Sequence, residues 1–227
     1  MIGYGCMIGP PAATGKGVQI IGRIPIIGER KADVTDGLIH RWPLTANAND
    51  VVGALTLSNI GSVTFPDGAS FNGSSQALYA GAMTLPTVFT VTGWIKYSTA
   101  HAASAFGMSN ASGGFGSSVV TLADFNLSIY GGTYKINSGQ NLADSKWHFV
   151  AFSGGASGAH TWQLYVDGMS EGSQSVDFTC DGNFAVGRAG AYTGGYWFSG
   201  SVKDCRFYSQ ALTADQHATL YSNGPNP

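Results

Sequence analysis

The segment 146–168, KWHFVAFSGGASGAHTWQLYVDG, limits what this chain can fold into more than any other stretch. Residues 147–152 are almost all bulky and suited to a pleated surface, which is typical of a strand covered on both faces. In residues 161–166 apolar and polar side chains alternate, with one face formed by Trp162, Leu164 and Val166. A glycine- and serine-rich loop joins the two stretches, and an Asp-Gly turn follows the second. The segment therefore predicts one hairpin in the core of two packed sheets.

The rest of the chain favours many short strands over long helices. Only 11% of its 227 residues are charged, and 33 are glycine. Short alternating stretches bounded by Gly, Pro, Asn or Asp recur along the sequence. We expect strands near 37–44, 54–58, 63–65, 69–72, 76–80, 89–97, 119–123 and 125–130. This length is ordinary for one two-sheet domain, because two domains would leave each of them small.

Five motifs stand in the same order as in a known family. They are GLIHRWPL at 37–44, GASFNGSSQALYA at 68–80, FTVTGWIKYS at 89–98, the hairpin pattern W-H-x-V-A…L-x-L-Y-V-D-G, and FAVGRAG followed by FSGSVKDCRFYSQALTADQHATLY within 184–221. With these motifs, residues 37–227 resemble the laminin-G-like domains of the concanavalin A-like lectin/glucanase superfamily. The resemblance implies an all-β fold, a two-sheet antiparallel jelly-roll sandwich.

One short helix is expected near the C-terminus. Thr213 can cap it while Gln216 reaches back to the cap, the T-x-x-Q capping box, with Leu220 and Tyr221 turned toward the sheet. The helix should end before Gly224.

Residues 1–36 differ in composition from the rest and predict an extended N-terminal arm. Gly-Pro punctuation and the apolar run VQIIGRIPIIG at 18–28 limit regular strand pairing there. An apolar arm needs a cover, which is either a neighbouring subunit or particle or the arm's own domain. The first 17 residues also lack the basic segment and apolar core of a secretory signal. Because laminin-G-like domains are usually displayed outside cells, we expect a phage or virus product released by lysis, with a removed signal as the alternative.

Charge and hydropathy exclude two classes of partner. A net charge of −2 and a pI near 6.2 give no basic footprint for nucleic acid or anionic membranes. No apolar run approaches the roughly 18–20 residues that span a bilayer, so we expect no membrane insertion.

The three cysteines, Cys6, Cys180 and Cys205, cannot all pair within the chain. Cys180 and Cys205 are either a disulfide or two buried thiols.

Catalysis is not expected. Retaining glucanases of this fold place carboxylates about 5–5.5 Å apart across the scissile bond, on alternate residues of a strand. This chain has two glutamates, Glu29 and Glu171, and neither has a carboxylate two or four positions later. The histidines lack the spacing of a zinc helix, and His148, beside Trp147 in a predicted strand, is interpreted as a hydrogen-bonded core residue. An unrelated pair of aspartates is the one enzyme option left.

The family resemblance also implies a calcium site. Laminin-G-like domains often hold Ca²⁺ at the sheet edge through aspartate and carbonyl oxygens, the ligands that this ion prefers. Asp204 occupies one position of the usual acidic pair, but the other is Lys203. Asp50, in an Asn-rich loop, is the second candidate ligand, although the same sequence is also an ordinary turn. We therefore predict Asp50 and Asp204 as metal ligands if Ca²⁺ binds.

The best candidate for ligand recognition is the glycine-rich segment 187–200, GRAGAYTGGYWFSG. The aromatic faces of Tyr192, Tyr196 and Trp197 could stack on a sugar ring while hydroxyls and amides bind its edges. The alternative is that Trp197 and Phe198 begin the next strand and are buried.

These observations predict a non-catalytic binding and assembly module. We expect residues 1–36 to attach it to a virion capsid or tail protein, and the lectin-like domain to bind a cell-surface glycan or glycoprotein. The predicted location is the virion, with an extracellular location as the alternative. Two other functions fit the sequence: a purely structural capsid decoration or cement protein, and a secreted carbohydrate-binding accessory domain of a hydrolase. The sequence leaves the oligomeric state open, including a homo-oligomer.

Overall fold

Most alternating segments of the sequence form antiparallel strands, as the spacing of their apolar residues predicts. The strands expected near 54–58 and 63–65 are wrong, because only Ser58 belongs to a strand there and Thr64 makes an isolated bridge to Ser70. The computed structural model of the chain describes residues 32–99, 101–110, 118–121, 127–130, 134–177, 179–191 and 194–225. Within them the strands are β1 (Leu38–Trp42), β2 (Ser58–Ile60), β3 (Ala69–Asn72), β4 (Ala77–Ala82), β5 (Val88–Lys96), β6 (Ala103–Asn110), β7 (Ser118–Thr121), β8 (Leu127–Tyr130), β9 (Tyr134–Asn137), β10 (His148–Gly155), β11 (Ala159–Val166), β12 (Met169–Asp177), β13 (Cys180–Val186) and β14 (Ser199–Tyr208). Helix α1 (Ala214–Asn223) follows them.

The strands form two antiparallel sheets. The first sheet has the order β1-β14-β5-β10-β11-β12, with β3 paired to β14, and the second has the order β2-β4-β13-β6-β7-β8-β9. Most neighbours are distant in sequence, as in β1 with β14, so the sheets are assembled from non-local pairings. The predicted jelly-roll sandwich is confirmed.

The core lies between the two sheets and is rich in aromatic residues. Phe184 of the second sheet stacks on Trp42 at 5.3 Å between ring centroids and meets Phe207 of the first sheet edge-on at 6.0 Å. Phe106 of the second sheet stacks on Phe152 of the first at 6.3 Å. Because these rings are fully buried and come from both sheets, they fix the sheets face to face.

The predicted hairpin is confirmed, with longer strands than expected. β10 and β11 pair with Val150 opposite Val166, and an Asp167-Gly168 turn with positive φ at both residues leads into β12. Gly154 and Gly155 belong to β10 rather than to the loop. A Cβ atom at Gly154 would lie 2.5 Å from the Trp162 ring, so the glycine is required by the ring that crosses it.

A second apolar cluster covers the outer face of the first sheet. Trp94, Phe149, Tyr165 and Tyr208 from the strands meet Leu220 of the helix in this cluster. The predicted capping box is present, since the Thr213 hydroxyl accepts from the Gln216 N–H while the Gln216 side chain accepts from the Thr213 N–H. Leu220 is buried and Tyr221 stacks on Trp94 at 5.8 Å, so both side chains contact the sheet as predicted.

Residues 33–36, assigned to the arm from the sequence, contact the jelly roll. Asp33 pairs with Arg206 at 2.6 Å, and Val34 belongs to the outer cluster. The carbonyl of Val34 accepts the Tyr208 hydroxyl at 3.1 Å. The prediction for the rest of the arm lies outside the described residues.

Two sequence-level questions are answered within the described chain. No disulfide joins Cys180 to Cys205, which lie on strands of different sheets. Among the helical segments that the structure describes, none is long and apolar enough to cross a membrane.

Candidate functional site

The glycine-rich segment 187–200 links β13 to β14 and is tied to β6 by backbone hydrogen bonds. Gly187 N–H donates to the Ala105 carbonyl at 2.7 Å, and Ser104 N–H donates to the Tyr196 carbonyl at 2.9 Å. The segment closes on itself where Phe198 N–H donates to the Gly187 carbonyl at 3.0 Å. With a third bond from Gly190 N–H to the Gly107 carbonyl at 3.2 Å, three backbone connections to one strand hold the described part of this segment in a defined position.

The predicted ligand-binding aromatics have different environments. Tyr196 is 39% exposed and has a positive φ of 60°, so its ring stands at the surface. Trp197 is half-buried, and Phe198 is buried between Phe71 and Tyr97. The alternative interpretation therefore holds for Phe198 and only partly for Trp197. Tyr192 lies outside the described residues.

Arg188 is a residue of this surface that the sequence analysis missed. Its guanidinium lies over the Tyr79 ring at 5.0 Å and over the Trp197 ring at 5.4 Å. The side chain is 6% exposed, and burial lowers its pKa from the usual arginine value. The signal in the sequence was one arginine close to the aromatic residues of segment 187–200. Tyr79 could not be linked to Arg188 from the sequence, because the pairing of β4 with β13 brings it there.

A polar cleft shares Ser199 and Gly200 with this segment. Its volume is about 310 Å³, and its lining is mostly hydroxyl and backbone groups from Lys96, Tyr97, Ser98, Ser145, Ser199, Gly200 and Ser201. We call it the serine cleft. Phe198 is buried in the core between Trp197 and Ser199. Because side chains alternate along an extended chain, Trp197 and Ser199 face away from the core.

A charged cluster around Trp147 lies next to the serine cleft. Lys96, which lines the cleft, and Lys203 both approach the Trp147 ring at 4.8 Å and both pair with Asp67. The Lys203 and Lys96 hydrogen bonds hold the pKa of Asp67 well below its usual range. Each lysine therefore already has an anionic partner.

Asp50, one predicted metal ligand, anchors its own loop. Its carboxylate accepts the backbone N–H groups of Arg41, Val52, Gly53 and Leu55 at 2.9–3.0 Å, and His40 Nδ1 lies 2.6 Å away. Burial raises the pKa of Asp50, but the backbone donors outweigh burial and lower it to about 2. Both oxygens are used as acceptors inside the protein.

Asp204, the other predicted ligand, is bound by two arginines. Oδ1 accepts from Arg41 Nε at 2.7 Å, and Oδ2 accepts from Arg206 Nε at 3.0 Å and Nη2 at 2.6 Å. Among the residues that the structure describes, no group of three or more His, Cys, Asp or Glu side chains could hold a metal ion. Neither aspartate fits a Ca²⁺ site as it stands, and calcium binding stays a prediction.

The histidine interpreted as a hydrogen-bonded core residue bridges two aspartates. His148 Nδ1 lies 2.9 Å from Asp167 and Nε2 lies 3.1 Å from Asp144. The Asp167 hydrogen bond, opposed by burial, raises the pKa of His148. Of the glutamates, Glu171 accepts from the Gln140 side chain at 2.6 Å, and Glu29 lies outside the described residues.

Comparison with known proteins places the chain among lectin-like domains. Residues 63–216 match a laminin-G-like family model described as the concanavalin A-like lectin/glucanases superfamily. A search of curated proteins gives no match.

Several solved structures share the fold. Domain 4 of AbnA, a GH43 extracellular arabinanase from Geobacillus stearothermophilus in complex with arabinotriose, is 18% identical with a TM-score of 0.60, covering 81% of this chain and 98% of that one. The receptor-binding domain of botulinum neurotoxin C/D mosaic serotype is 14% identical with a TM-score of 0.61, covering 83% and 51%. A Trypanosoma rangeli sialidase mutant displaying trans-sialidase activity is 17% identical with a TM-score of 0.60, covering 82% and 32%. This chain thus spans about half of the neurotoxin domain, and the likeness is one of fold.

Proposed function

This chain belongs to the concanavalin A-like lectin/glucanase superfamily, and from that membership we propose that its jelly roll is a non-catalytic glycan-binding domain. The proposed binding surface comprises the serine cleft and the adjoining aromatic residues Tyr196 and Trp197. Fold membership alone does not assign a ligand, so the proposal depends on the chemistry of this surface.

The observation that carries the proposal is the chemistry of the serine cleft. Ser98, Ser145, Ser199 and Ser201 are among the residues that line a space of about 310 Å³, which is within the size range of small-ligand pockets. Hydroxyl and backbone groups can both donate to and accept from sugar hydroxyls. The exposed ring of Tyr196 supplies an apolar face on which a sugar ring can stack.

The similar structures support a binding role without specifying it. The arabinanase domain was solved with arabinotriose, and the neurotoxin domain is a receptor-binding domain. Arabinotriose is therefore one of the sugars to test.

We also propose that residues 1–36 attach the domain to a virion capsid or tail protein, and that the binding surface then contacts host glycans or glycoproteins. This part rests on the composition of residues 1–36 alone, since the similar structures are toxin, arabinanase and sialidase domains. A structural decoration protein and a secreted accessory domain of a hydrolase are the competing proposals, and a homo-oligomer is compatible with each.

A glycan array probed with the full chain tests the binding proposal. We expect a restricted set of glycans to be retained, and Tyr196→Ala to weaken their binding about tenfold because stacking is lost. Tyr221→Ala is a matched control, since Tyr221 is 41% exposed but lies in helix α1, where it stacks on Trp94 of β5. Equal binding by both variants and the wild type would show that Tyr196 is not part of the glycan-binding surface.

The attachment proposal has its own test. We expect purified capsid or tail protein to capture the full chain. A chain that lacks residues 1–31 should not be captured. Capture together with an array that retains no glycan would favour the decoration protein. Codons for a secretory signal upstream of Met1 would favour the accessory domain.

A further inference from the structure

Arg188 and Arg206 are the buried arginines among the described residues, and only Arg206 has an anionic partner there. Arg206, 2% exposed, binds Asp204 through two nitrogens and Asp33 through a third. Arg188 is 6% exposed, and no ion pair joins it to a carboxylate among the described residues. Its Nε is fully buried and donates no hydrogen bond within the described chain. Carboxylates neutralise the Arg206 guanidinium, whereas no described carboxylate pairs with Arg188.

The aromatic rings around Arg188 hold the cation without neutralising it. Tyr79 and Trp197 present their faces at 5.0 and 5.4 Å. The Tyr79 hydroxyl is engaged elsewhere, donating to Asn183 Oδ1 at 2.6 Å. Cation–π contacts offset part of the cost of burying a charge, and they do not occupy the N–H donors of the guanidinium fork. A planar fork with free donors is suited to binding a carboxylate through two parallel hydrogen bonds.

The fork is also the part of Arg188 that a ligand can reach. Nε is fully buried, whereas neither Nη nitrogen is among the fully buried side-chain atoms without a partner, so the proposed contact is made by the Nη groups. Trp197 contacts this guanidinium and belongs to the same segment as the exposed Tyr196. A cation and two rings available for stacking thus adjoin the proposed glycan surface.

We propose that Arg188, held between Tyr79 and Trp197, binds the carboxylate of an acidic sugar, such as a uronic or a sialic acid. This inference rests on the proposed glycan-binding function and names its ligand class. The sugar ring stacks on Tyr196 while its carboxylate accepts from the Nη groups of Arg188.

Matched acidic and neutral probes test the inference in the wild-type protein. The full chain is titrated with trigalacturonate and its methyl ester, and with 3′-sialyllactose and its methyl ester, at 50 and 300 mM NaCl. We expect at least one acid to bind about tenfold more tightly than its ester, because esterification removes a charge-assisted bidentate contact. The advantage of the acid should shrink at the higher salt concentration.

Variants then assign the preference to one residue. Arg188→Gln should abolish the difference between acid and ester, and Arg188→Lys should restore only part of it because an ammonium lacks the fork. Lys146→Gln is the control, since Lys146 is an exposed cation paired with Asp144, and it should keep the preference. Thermal unfolding of each variant checks folding, and if Arg188→Gln does not fold, the acid–ester comparison in the wild type decides.

Each contrary outcome has a separate meaning. If both esters bind as well as their acids, the inference is overturned and the proposed glycan-binding function stands. A preference of the protein for sulfated over carboxylated glycans on an array would overturn the carboxylate assignment. If neither acidic nor neutral glycans bind at all, the proposed function fails and the inference fails with it.

Discussion

At the scale of single residues, Asp204 has the largest predicted effect on stability. It is 4% exposed and accepts hydrogen bonds from both Arg41 and the buried Arg206. Asp204→Asn keeps the shape and tolerates the φ of 43°, but it removes the negative charge that Arg41 and Arg206 share and replaces one acceptor oxygen by an NH₂ group that cannot accept. Breaking a buried pair in this way costs about 3–5 kcal/mol, which urea unfolding would measure.

The control for this variant is Asp177→Asn, at an exposed position of β12. Its free energy of unfolding should stay within about 0.5 kcal/mol of the wild type. A similarly small loss in Asp204→Asn would show that Asp33 alone can hold Arg206.

His217 predicts a dependence of stability on pH. It is fully buried on the helix, stacks on Tyr165 at 3.8 Å between ring centroids, and burial lowers its pKa from 6.5 to about 4. Below pH 6.5 the unfolded state therefore binds a proton that the folded state refuses, so stability falls as the pH drops toward 4. Between pH 7 and 5 this amounts to about 2 kcal/mol.

His217→Leu should lose about 2 kcal/mol less than the wild type between pH 7 and 5, as measured by urea unfolding at both values. His148 acts in the opposite sense, because its raised pKa adds stability that is present below pH 6.5 and lost as the pH rises through the folded-state value. That contribution is common to both proteins and cancels in the comparison. Parallel losses in the two proteins would contradict the low pKa of His217.

The burial of a residue could be predicted from the sequence more often than its contacts. Trp162, Leu164 and Val166 are buried as the alternation predicts. The role of Arg188 depends on Tyr79, more than a hundred positions earlier, and no local pattern links the two. The donors to the Asp50 carboxylate are likewise fixed by how its loop folds, which residue spacing does not encode.

At the scale of elements, the cap of helix α1 is open to a direct test. Thr213→Ala removes the hydroxyl that accepts the Gln216 N–H and should cost about 1 kcal/mol of unfolding free energy. Thr219→Ala is the matched control in the same helix, because its hydroxyl donates to the Asp215 carbonyl within the helix. Thr219→Ala should change stability by less than about 0.5 kcal/mol. Equal effects of the two variants would argue against the capping box as a source of stability.

In the hairpin of β10 and β11, strand lengths were less predictable than strand positions. The glycine-rich loop expected from residue 153 onward is shortened because β10 continues to Gly155 and β11 begins at Ala159. Glycine ordinarily weakens a strand, but here Trp162 and His160 occupy the space that side chains at Gly154 and Gly155 would need. This tertiary requirement outweighs the local turn signal.

At the scale of the whole molecule, two truncations locate the start of the stable domain. A chain beginning at Ala32 keeps Asp33 and Val34, whereas one beginning at Gly37 loses the Asp33–Arg206 ion pair and the buried Val34 side chain. The shorter chain should be less stable by about 2 kcal/mol, chiefly from the lost apolar burial. Chemical unfolding of both chains measures the difference, and equal stability would support a boundary at residue 36.

Val34 and Leu220 belong to one cluster on the outer face of the first sheet. The polypeptide therefore enters and leaves the sandwich on the same side. A fold with neighbouring entry and exit points can be inserted within another protein, or repeated in tandem, without a long linker crossing the sheets. The same geometry makes it a suitable scaffold for grafting into a host loop.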